Sequence, residues 1–166
     1  MKKTIIALVA VFAMTLSANA QKFGHVDTQN IMQTLPELTK VNGELQAIAQ
    51  QYDNDLKAMQ EELQRKAEEY DKNKATMSAT AQQEQEKTLQ DMYTKIQQTA
   101  QQNQQNLQKQ QAEKMQPINQ KVMTAIQNVG KAGQYTYIID QNTALYIGPS
   151  SKDVTSEVKA EINKLK

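Results

Sequence analysis

The sequence predicts a mostly helical α+β fold, in which a long antiparallel helical hairpin stands on a small β-rich body formed by both chain ends. An apolar repeat at helical spacing runs through the centre of the chain, and the segments on either side of it contain short stretches of strand composition. The chain also has two phenylalanines and no tryptophan among its 166 residues. Because this composition supplies little material for a large round core, it favours an elongated or oligomeric architecture.

Residues 1–20 have the pattern of a cleaved secretory signal peptide. Two lysines precede an uncharged apolar run from Ile5 to Leu16, and the small residues of Ala18-Asn19-Ala20 form a cleavage site. We therefore expect cleavage after Ala20 and an exported mature protein that begins at Gln21. The apolar run is too short for an ordinary membrane-spanning helix, so no stable membrane insertion is expected.

Charge and composition argue against several classes of function. Loss of the two signal-peptide lysines changes 19 basic and 18 acidic residues to 17 and 18, a net charge of −1, so no nucleic-acid partner is expected. With one histidine, no cysteine and no phosphate-binding glycine loop, the chain offers no catalytic residues, metal ligands or cofactor site, and we expect a protein that is not an enzyme. The histidine, His25, is interpreted as a half-buried strand residue.

The predicted arm of the hairpin covers residues 37–129. Steps of four, three and four residues from Val41 meet only apolar side chains as far as Tyr70, an eleven-residue repeat that gives a nearly straight apolar stripe on a helix. The positions in this stripe are Val41, Leu45, Ile48, Tyr52, Leu56, Met59, Leu63, Ala67 and Tyr70. The repeat fails between Lys74 and Gln85 and resumes at Leu89.

This interruption predicts the turn of the hairpin, with its tip near residues 74–80. The sequence Thr80-Ala81-Gln82-Gln83 reads as a capping box that starts the second helix, and Thr34-Leu35-Pro36-Glu37 reads as a capping box that starts the first. Folding back at the tip lets each helix cover the apolar stripe of the other. The alternative is a single continuous helix, which would expose the stripe to water unless another chain covered it.

A glutamine-rich tract from Thr99 to Gln111 lies within the second predicted helix. Glutamine forms helices well, and the apolar repeat continues on both sides of the tract, so a thinly packed helix is favoured over a disordered polar segment. Between Ala100 and Ile118 the repeat offers Leu107 as its only large apolar contact. Pro117 lacks an amide donor and predicts a kink near residues 113–116.

The two chain ends, residues 21–36 and 130–166, are predicted to form the body. Lys22–Asp27 is a candidate strand, and Asp27 is expected to open a short helix from Thr28 to Thr34. After two glycines end the second arm, Tyr135–Asp140 and Ala144–Gly148 have strand composition.

The remaining elements of the body are a turn and a final helix. Residues 141–143 are expected to form the turn between the last two strands, and Asp153 is expected to cap the helix. Three short strands bury little surface in one chain, so we expect a homo-oligomer. The residues expected to hold it together are Phe23, Val26, Tyr137, Ile139, Leu145 and Ile147.

The segments KFGHVDTQNIM and YTYIIDQNTALYIGPSSKDVT, with the helical hairpin between them, resemble the Skp/OmpH family of periplasmic chaperones. The resemblance covers the whole mature chain. It implies a periplasmic trimer in which three hairpins hang from a shared β-rich body around a cavity. It also implies an ATP-independent holdase that keeps unfolded outer-membrane β-barrel proteins from aggregating. The best-known members are strongly basic, so the near-neutral charge of this chain does not imply electrostatic capture of acidic clients.

Five residues of the arms are candidates for contact with such a client. Flexible methionine and amphipathic tyrosine side chains make weak, adaptable contacts with partners that have no fixed shape. The candidates are Tyr70, Met77, Met92, Tyr93 and Ile96. The alternative is that these side chains only thicken the core of the hairpin. Two other functions stay open, namely a structural coiled-coil spacer or adaptor of the cell envelope and an exported regulatory subunit whose sheet adds strands to another protein.

Overall fold

The structure, a computed structural model, describes residues 21–165, so the predicted signal peptide lies outside the described residues. Both long helices and a small three-stranded sheet built from both chain ends are present, which confirms the predicted fold class. In chain order the elements are β1 (Phe23–Val26), α1 (Thr28–Thr34), α2 (Pro36–Asn73), a 3₁₀ turn (Lys74–Thr76), α3 (Ala79–Gly133), β2 (Tyr137–Asp140), β3 (Lys152–Asp153) and α4 (Thr155–Ile162).

The described chain divides into two compact units. The terminal unit combines residues 21–33 with residues 121–165, and the hairpin unit is Thr34–Gln120. The division falls just before the last residue of α1 on one side and within α3 on the other. Each unit is described by itself below.

The sheet of the terminal unit is parallel and has the strand order β2-β1-β3. Phe23 pairs with Tyr137 and His25 with Ile139, and His25 also pairs with Asp153 of the other neighbouring strand. Because directly paired residues of a sheet point to the same face, Phe23, His25, Tyr137 and Ile139 share one face. Gly24 and Val26, which are buried, lie on the other face.

The core of the terminal unit lies under this second face. Its helices contribute apolar side chains at helical spacing, and most of these are almost completely withdrawn from solvent. The buried residues are Val26, Ile31, Val122, Ala125, Val154, Val158 and Ile162. The predicted final helix and its apolar face are therefore confirmed. It begins at Thr155, and its N-cap is Val154, one residue after the predicted Asp153. The Asp153 side chain still accepts a 2.8 Å hydrogen bond at Oδ1 from the amide of Thr155.

Short polar contacts define the ends of the helices in the terminal unit. Asp27 caps α1 as predicted, because its Oδ1 accepts a 2.8 Å hydrogen bond from the amide of Asn30. At the end of α3 the amide of Tyr135 donates to the carbonyl of Gly130 at 3.0 Å, and the amide of Gln134 donates to that of Lys131 at 3.2 Å. These two bonds form a Schellman motif, and they place Gln134 in the left-handed region at φ 54°.

The predicted strand at Ala144–Gly148 is wrong. The turn at residues 141–143 is present, but the chain that follows is irregular, and the third strand is Lys152–Asp153. β-Forming composition makes a strand only when a neighbouring strand supplies hydrogen-bond partners. In this chain the free edge of β1 pairs instead with the short segment just before α4.

The start of α2 differs from the predicted capping box. Thr34 ends α1, and the N-cap of α2 is Leu35, whose extended backbone leads into Pro36 at the first turn. Proline is favoured there because the first amides of a helix have no partner within it. The N-cap residue Leu35 is itself 6% exposed, so α2 starts from a buried apolar residue followed by proline and has no side-chain cap.

The tip of the hairpin is formed by the 3₁₀ turn and residues 77–78. Ser78, two residues before the predicted Thr80, caps α3, because its Oγ accepts from the amide of Ala81 at 3.3 Å. The Gln82 side chain then reaches back and donates to the carbonyls of Lys74 at 2.7 Å and Met77 at 3.3 Å. The carbonyls of the 3₁₀ turn and of the residue after it are thus bound by a side chain from the first turn of α3.

Side-chain contacts show that α2 and α3 run antiparallel. Tyr70 near the end of α2 donates a 2.6 Å hydrogen bond to Glu86 near the start of α3. Glu44 near the start of α2 accepts a 2.7 Å bond from Lys114, much farther along α3. This reversed order is the geometry predicted for the hairpin.

The glutamine-rich tract is helical, as predicted, because α3 is continuous from Ala79 to Gly133. Its packing is sparse, because among the described residues of α3 no side chain between Ile96 and Ile118 is buried. Helix α3 also continues through Pro117, which removes the amide that would bond to the carbonyl of Glu113. The predicted kink at residues 113–116 stays a prediction.

Candidate functional site

The outward face of the terminal sheet carries large apolar side chains. The rings of Phe23 and Tyr137 are stacked, with centroids 6.2 Å apart and an interplanar angle of 7°. Tyr137 is 62% exposed and Ile139 is 50% exposed. Parallel sheets are usually covered on both faces, so an open parallel face with this composition is a candidate surface for assembly.

The irregular segment after the 141–143 turn adds to the exposed apolar surface of the terminal unit. Leu145 is fully exposed, Tyr146 is 82% exposed, and Ile147 is half-buried. Val26 differs from the other five residues predicted for oligomerisation, because at 2% exposure its side chain packs inside its own chain. Strand alternation places Phe23 and Val26 on opposite faces, but it does not show which face is buried, because that depends on what packs against the sheet.

A polar network at the carboxyl ends of β1 and β2 holds the start of this segment. Oδ2 of Asp27 accepts a 2.5 Å hydrogen bond from the Gln141 side chain, and Oδ1 accepts one from Asn142 at 3.3 Å. Asp140 accepts hydrogen bonds from the hydroxyl of Thr28 and from the Asn142 amide. Burial raises the pKa of Asp140, but these hydrogen bonds outweigh burial and hold it below its ordinary value.

Tyr135 fills a narrow space between two glycines of the terminal unit. A Cβ added at Gly133 would lie 2.4 Å from the Tyr135 ring, and one added at Gly24 would lie 3.1 Å from it. The ammonium group of Lys22 lies 4.3 Å from the ring centroid and donates a 2.8 Å hydrogen bond to the carbonyl of Gly133. These contacts join the N-terminal strand to the end of α3.

In the hairpin unit, the predicted client-binding residues fall into three separate groups. Tyr70 and Met77 share a polar hollow beside the tip, which Lys66, Glu69, Asn73 and Gln85 complete. The hydrogen bond from Tyr70 to Glu86 stabilises the neutral phenol and raises the pKa of Tyr70. Tyr70 is therefore engaged within the hairpin.

Met92 and Ile96 line a second hollow, of about 360 Å³, between α2 and α3. Helix α2 contributes Ala58, Met59 and Glu62 to its wall, and α3 also contributes Lys95. We call this site the seam hollow. Its wall is mostly apolar, with one acidic and one basic side chain.

Tyr93 does not line the seam hollow. Each residue turns a helix by about 100°, so Tyr93 lies on one flank of Met92 and Lys95 on the other. Tyr93 is 51% exposed and forms a separate apolar contact on the surface of α3. The sequence predicted that Tyr93 widens the apolar face, but it does not identify Ala58, Met59 and Lys95 as neighbours of Met92, because that requires the register of the two helices.

The described residues contain no group of three or more histidine, cysteine, aspartate or glutamate side chains placed to hold a metal ion. Within residues 21–165, no helix is both long and apolar enough to cross a membrane.

The family model of the outer membrane protein (OmpH-like) family matches residues 22–162. The chain belongs to this family. A solved structure similar to this OmpH-like chain is that of a candidate outer membrane chaperone (OmpH-like) from Caulobacter crescentus CB15. The two are 21% identical, with a TM-score of 0.75 over 89% of this chain and 87% of the other, which shows a shared fold. Among curated proteins no match is found.

Proposed function

We propose that this OmpH-like protein is an ATP-independent holdase of the periplasm, which binds unfolded outer-membrane β-barrel proteins between helical arms and prevents their aggregation. The family match over residues 22–162 carries the proposal. The signal-peptide pattern of residues 1–20 supports export, and an ATP-independent mechanism suits a compartment without nucleotide.

The open face of the terminal sheet supports the oligomeric part of the proposal. A second and a third copy would cover Phe23, Tyr137 and Ile139, which otherwise leave a parallel sheet exposed to water. Leu145 and Tyr146 would gain neighbours in the same assembly. The proposed oligomer is a trimer, in which the arms of three copies surround the client.

The shallow packing of the hairpin supports adaptable binding. Helix α2, all of which is described, has no buried residue, so most of its apolar stripe keeps some contact with solvent. Half-exposed methionine and tyrosine side chains can make many weak contacts with an unfolded chain. Many such contacts within one cavity give tight binding through avidity, although no single site binds strongly.

The first experiment tests holding directly. An outer-membrane β-barrel protein in urea is diluted into buffer without nucleotide, with and without the purified mature protein, and light scattering follows its aggregation. We expect the mature protein to suppress scattering at near-stoichiometric amounts. An equal amount of a folded helical protein of similar size is the control. Unchanged aggregation in the presence of the mature protein would refute the proposal and favour the spacer or adaptor function.

The second experiment tests the assembly surface. Light scattering should give an oligomeric mass for the mature protein at micromolar concentration, and Ile139→Asp should shift it towards the monomer because a charge then lies in the buried interface. Ser150→Asp, which places the same charge on an exposed turn of the terminal unit, should leave the mass unchanged. A stable, folded wild-type monomer would contradict the proposed assembly.

A further inference from the structure

The seam hollow is the most apolar recess of the hairpin unit among those described. It is open because residue 58 is alanine. Met59, Met92 and Ile96 form its apolar wall together with Ala58. Ile96 is 8% exposed and forms the floor, whereas Ala58 is exposed at the edge. A longer side chain at position 58 would occupy the space that alanine leaves open.

The edge of the hollow carries two groups of opposite charge on opposite helices. Glu62 of α2 is held in place by Arg65, whose Nη2 and Nε donate to its two carboxylate oxygens at 2.7 and 3.1 Å. Lys95 of α3 lies across from it. The recess therefore offers one hydrogen-bond acceptor and one donor on either side of an apolar floor.

We infer that the seam hollow is a binding subsite for one large apolar side chain of an extended polypeptide, with Lys95 and Glu62 contacting the peptide groups on either side of it. This inference rests on the proposed function and names the part of the client that is recognised. A peptide backbone carries a carbonyl acceptor and an amide donor around each side chain, which matches the ammonium and carboxylate of the edge.

Two properties of the wall fit such an occupant better than a lipid tail. A volume of about 360 Å³ is at the small end of ligand pockets and suits a single bulky side chain. Paired charges of opposite sign at the entrance would have to be desolvated by a hydrocarbon chain without receiving hydrogen bonds in return. Methionine lets one recess accept side chains of different shape, as an unfolded client requires.

The binding test uses the full-length mature protein and a short synthetic peptide in which phenylalanine alternates with glutamine. Ala58→Leu should weaken binding of this peptide about tenfold, because leucine fills the recess. The matched control is Ala47→Leu, an exposed position eleven residues earlier, which lies on the same face of α2 but outside the hollow. Equal affinity of Ala58→Leu and Ala47→Leu for the peptide would overturn the inference.

A second measurement avoids substitution altogether. In wild-type protein labelled at the methionine methyl groups, addition of the peptide should shift the resonances of Met59 and Met92. Met123, which is 55% exposed and belongs to the terminal unit, should not shift. The same peptide with serine in place of phenylalanine should shift none of the three. Unshifted Met59 and Met92 resonances at saturating peptide would also overturn the inference.

The holding experiment separates this inference from the proposed function. If the wild-type protein suppresses aggregation of a β-barrel client but Met59 and Met92 do not respond to the peptide, the function stands and the subsite is wrong. If the peptide binds in the hollow but aggregation is not suppressed, the holdase function is wrong and the subsite is a peptide site of another kind.

Discussion

The terminal unit and the hairpin unit bury apolar side chains to very different depths. Most of the described residues with almost no exposed surface, among them Ile31, Val154 and Val158, belong to the terminal unit. The hairpin unit has three described residues in this class, Leu35, Ile96 and Ile118. The terminal unit thus has a small core of its own, whereas the hairpin is a seam about one side chain deep. We infer that stability resides mainly at the chain ends and adaptability mainly in the arms.

The largest effect expected from this difference is in core truncation. Ile31→Ala, at a site with 0% exposure, should lower the free energy of unfolding by about 2–5 kcal/mol. Leu56→Ala, at a half-buried site in α2, should lower it by roughly 1 kcal/mol. Urea denaturation of both variants at one protein concentration measures the two values. Equal losses would mean that the hairpin is packed as tightly as the terminal core.

Glycine-to-alanine substitutions should have opposite signs in the two units. Gly133→Ala places a methyl group 2.4 Å from the Tyr135 ring and should destabilise the protein by about 1–3 kcal/mol. Gly43→Ala lies within α2, with nothing within 4 Å of the new methyl group, and should stabilise by about 0.5–1 kcal/mol. Thermal unfolding should therefore shift down for the first variant and up for the second. A shift in the same direction for both would show that the ring of Tyr135 moves aside easily.

Amide hydrogen exchange rates should differ between two segments of α3. Amides of residues 101–111 lie in the sparse tract, and we expect them to exchange at least about tenfold faster than those of residues 118–129, where Ile118, Val122 and Ala125 are buried. A bound client should slow exchange in the tract. Uniformly strong protection would mean that glutamine packs here as effectively as leucine.

The smallest effect concerns pH. The hydrogen bond and charge of Lys114 lower the pKa of Glu44 below its ordinary value of 4.5. A lowered carboxylate pKa stabilises the folded state above pH 4.5 and loses this contribution as the pH falls through the lower, folded-state pKa. Because the Lys114 and Glu44 side chains are still 28% and 38% exposed, solvent screens the pair and the contribution should be small. Lys114→Met should therefore flatten the acid side of the stability profile slightly.

Lys109→Met is the control for this measurement. Lys109 pairs at 3.9 Å with Glu113 on the same helix, so its loss does not remove a contact between α2 and α3. NMR titration of Glu44 should show its pKa rising in Lys114→Met and staying the same in Lys109→Met. An unchanged Glu44 titration in both variants would show that the bond between the helices is not maintained in solution.

Local patterns predicted the helices well and the strand pairing poorly. The apolar repeat placed both arms and the tip, and Asp27 and Asp153 marked the starts of two short helices. Lys152–Asp153 forms a strand without any apolar alternation, because its partner is fixed by the fold and not by its own sequence. Ser78 and Thr80 are both suitable caps, and only the position of the turn decides between them.

The candidate sites show the same limit. The oligomerisation residues were chosen by strand composition, which identifies Phe23 and Tyr137 but does not show that Val26 faces inward. The client-binding candidates were apolar residues in the repeat, beside it or at the tip, a choice that includes Met92 and Ile96 but does not reveal the space beside Ala58. The recess exists because Ala58 is small, and one small residue on an exposed helix surface produces no recognisable sequence pattern.

The pairing of β1 with β2 and β3 determines the order in which the elements can fold in the proposed export route. Translocation delivers residues in order, and contacts such as that between Thr28 and Asp140 join positions 112 residues apart. β1 must therefore wait unpaired until nearly the whole chain has crossed the membrane, while the hairpin, whose contacts near the tip close short loops, can form earlier. The apolar sheet face exists only in a chain delivered through β2. Truncated chains would thus lack the surface through which copies are expected to join, and assembly would select for complete molecules.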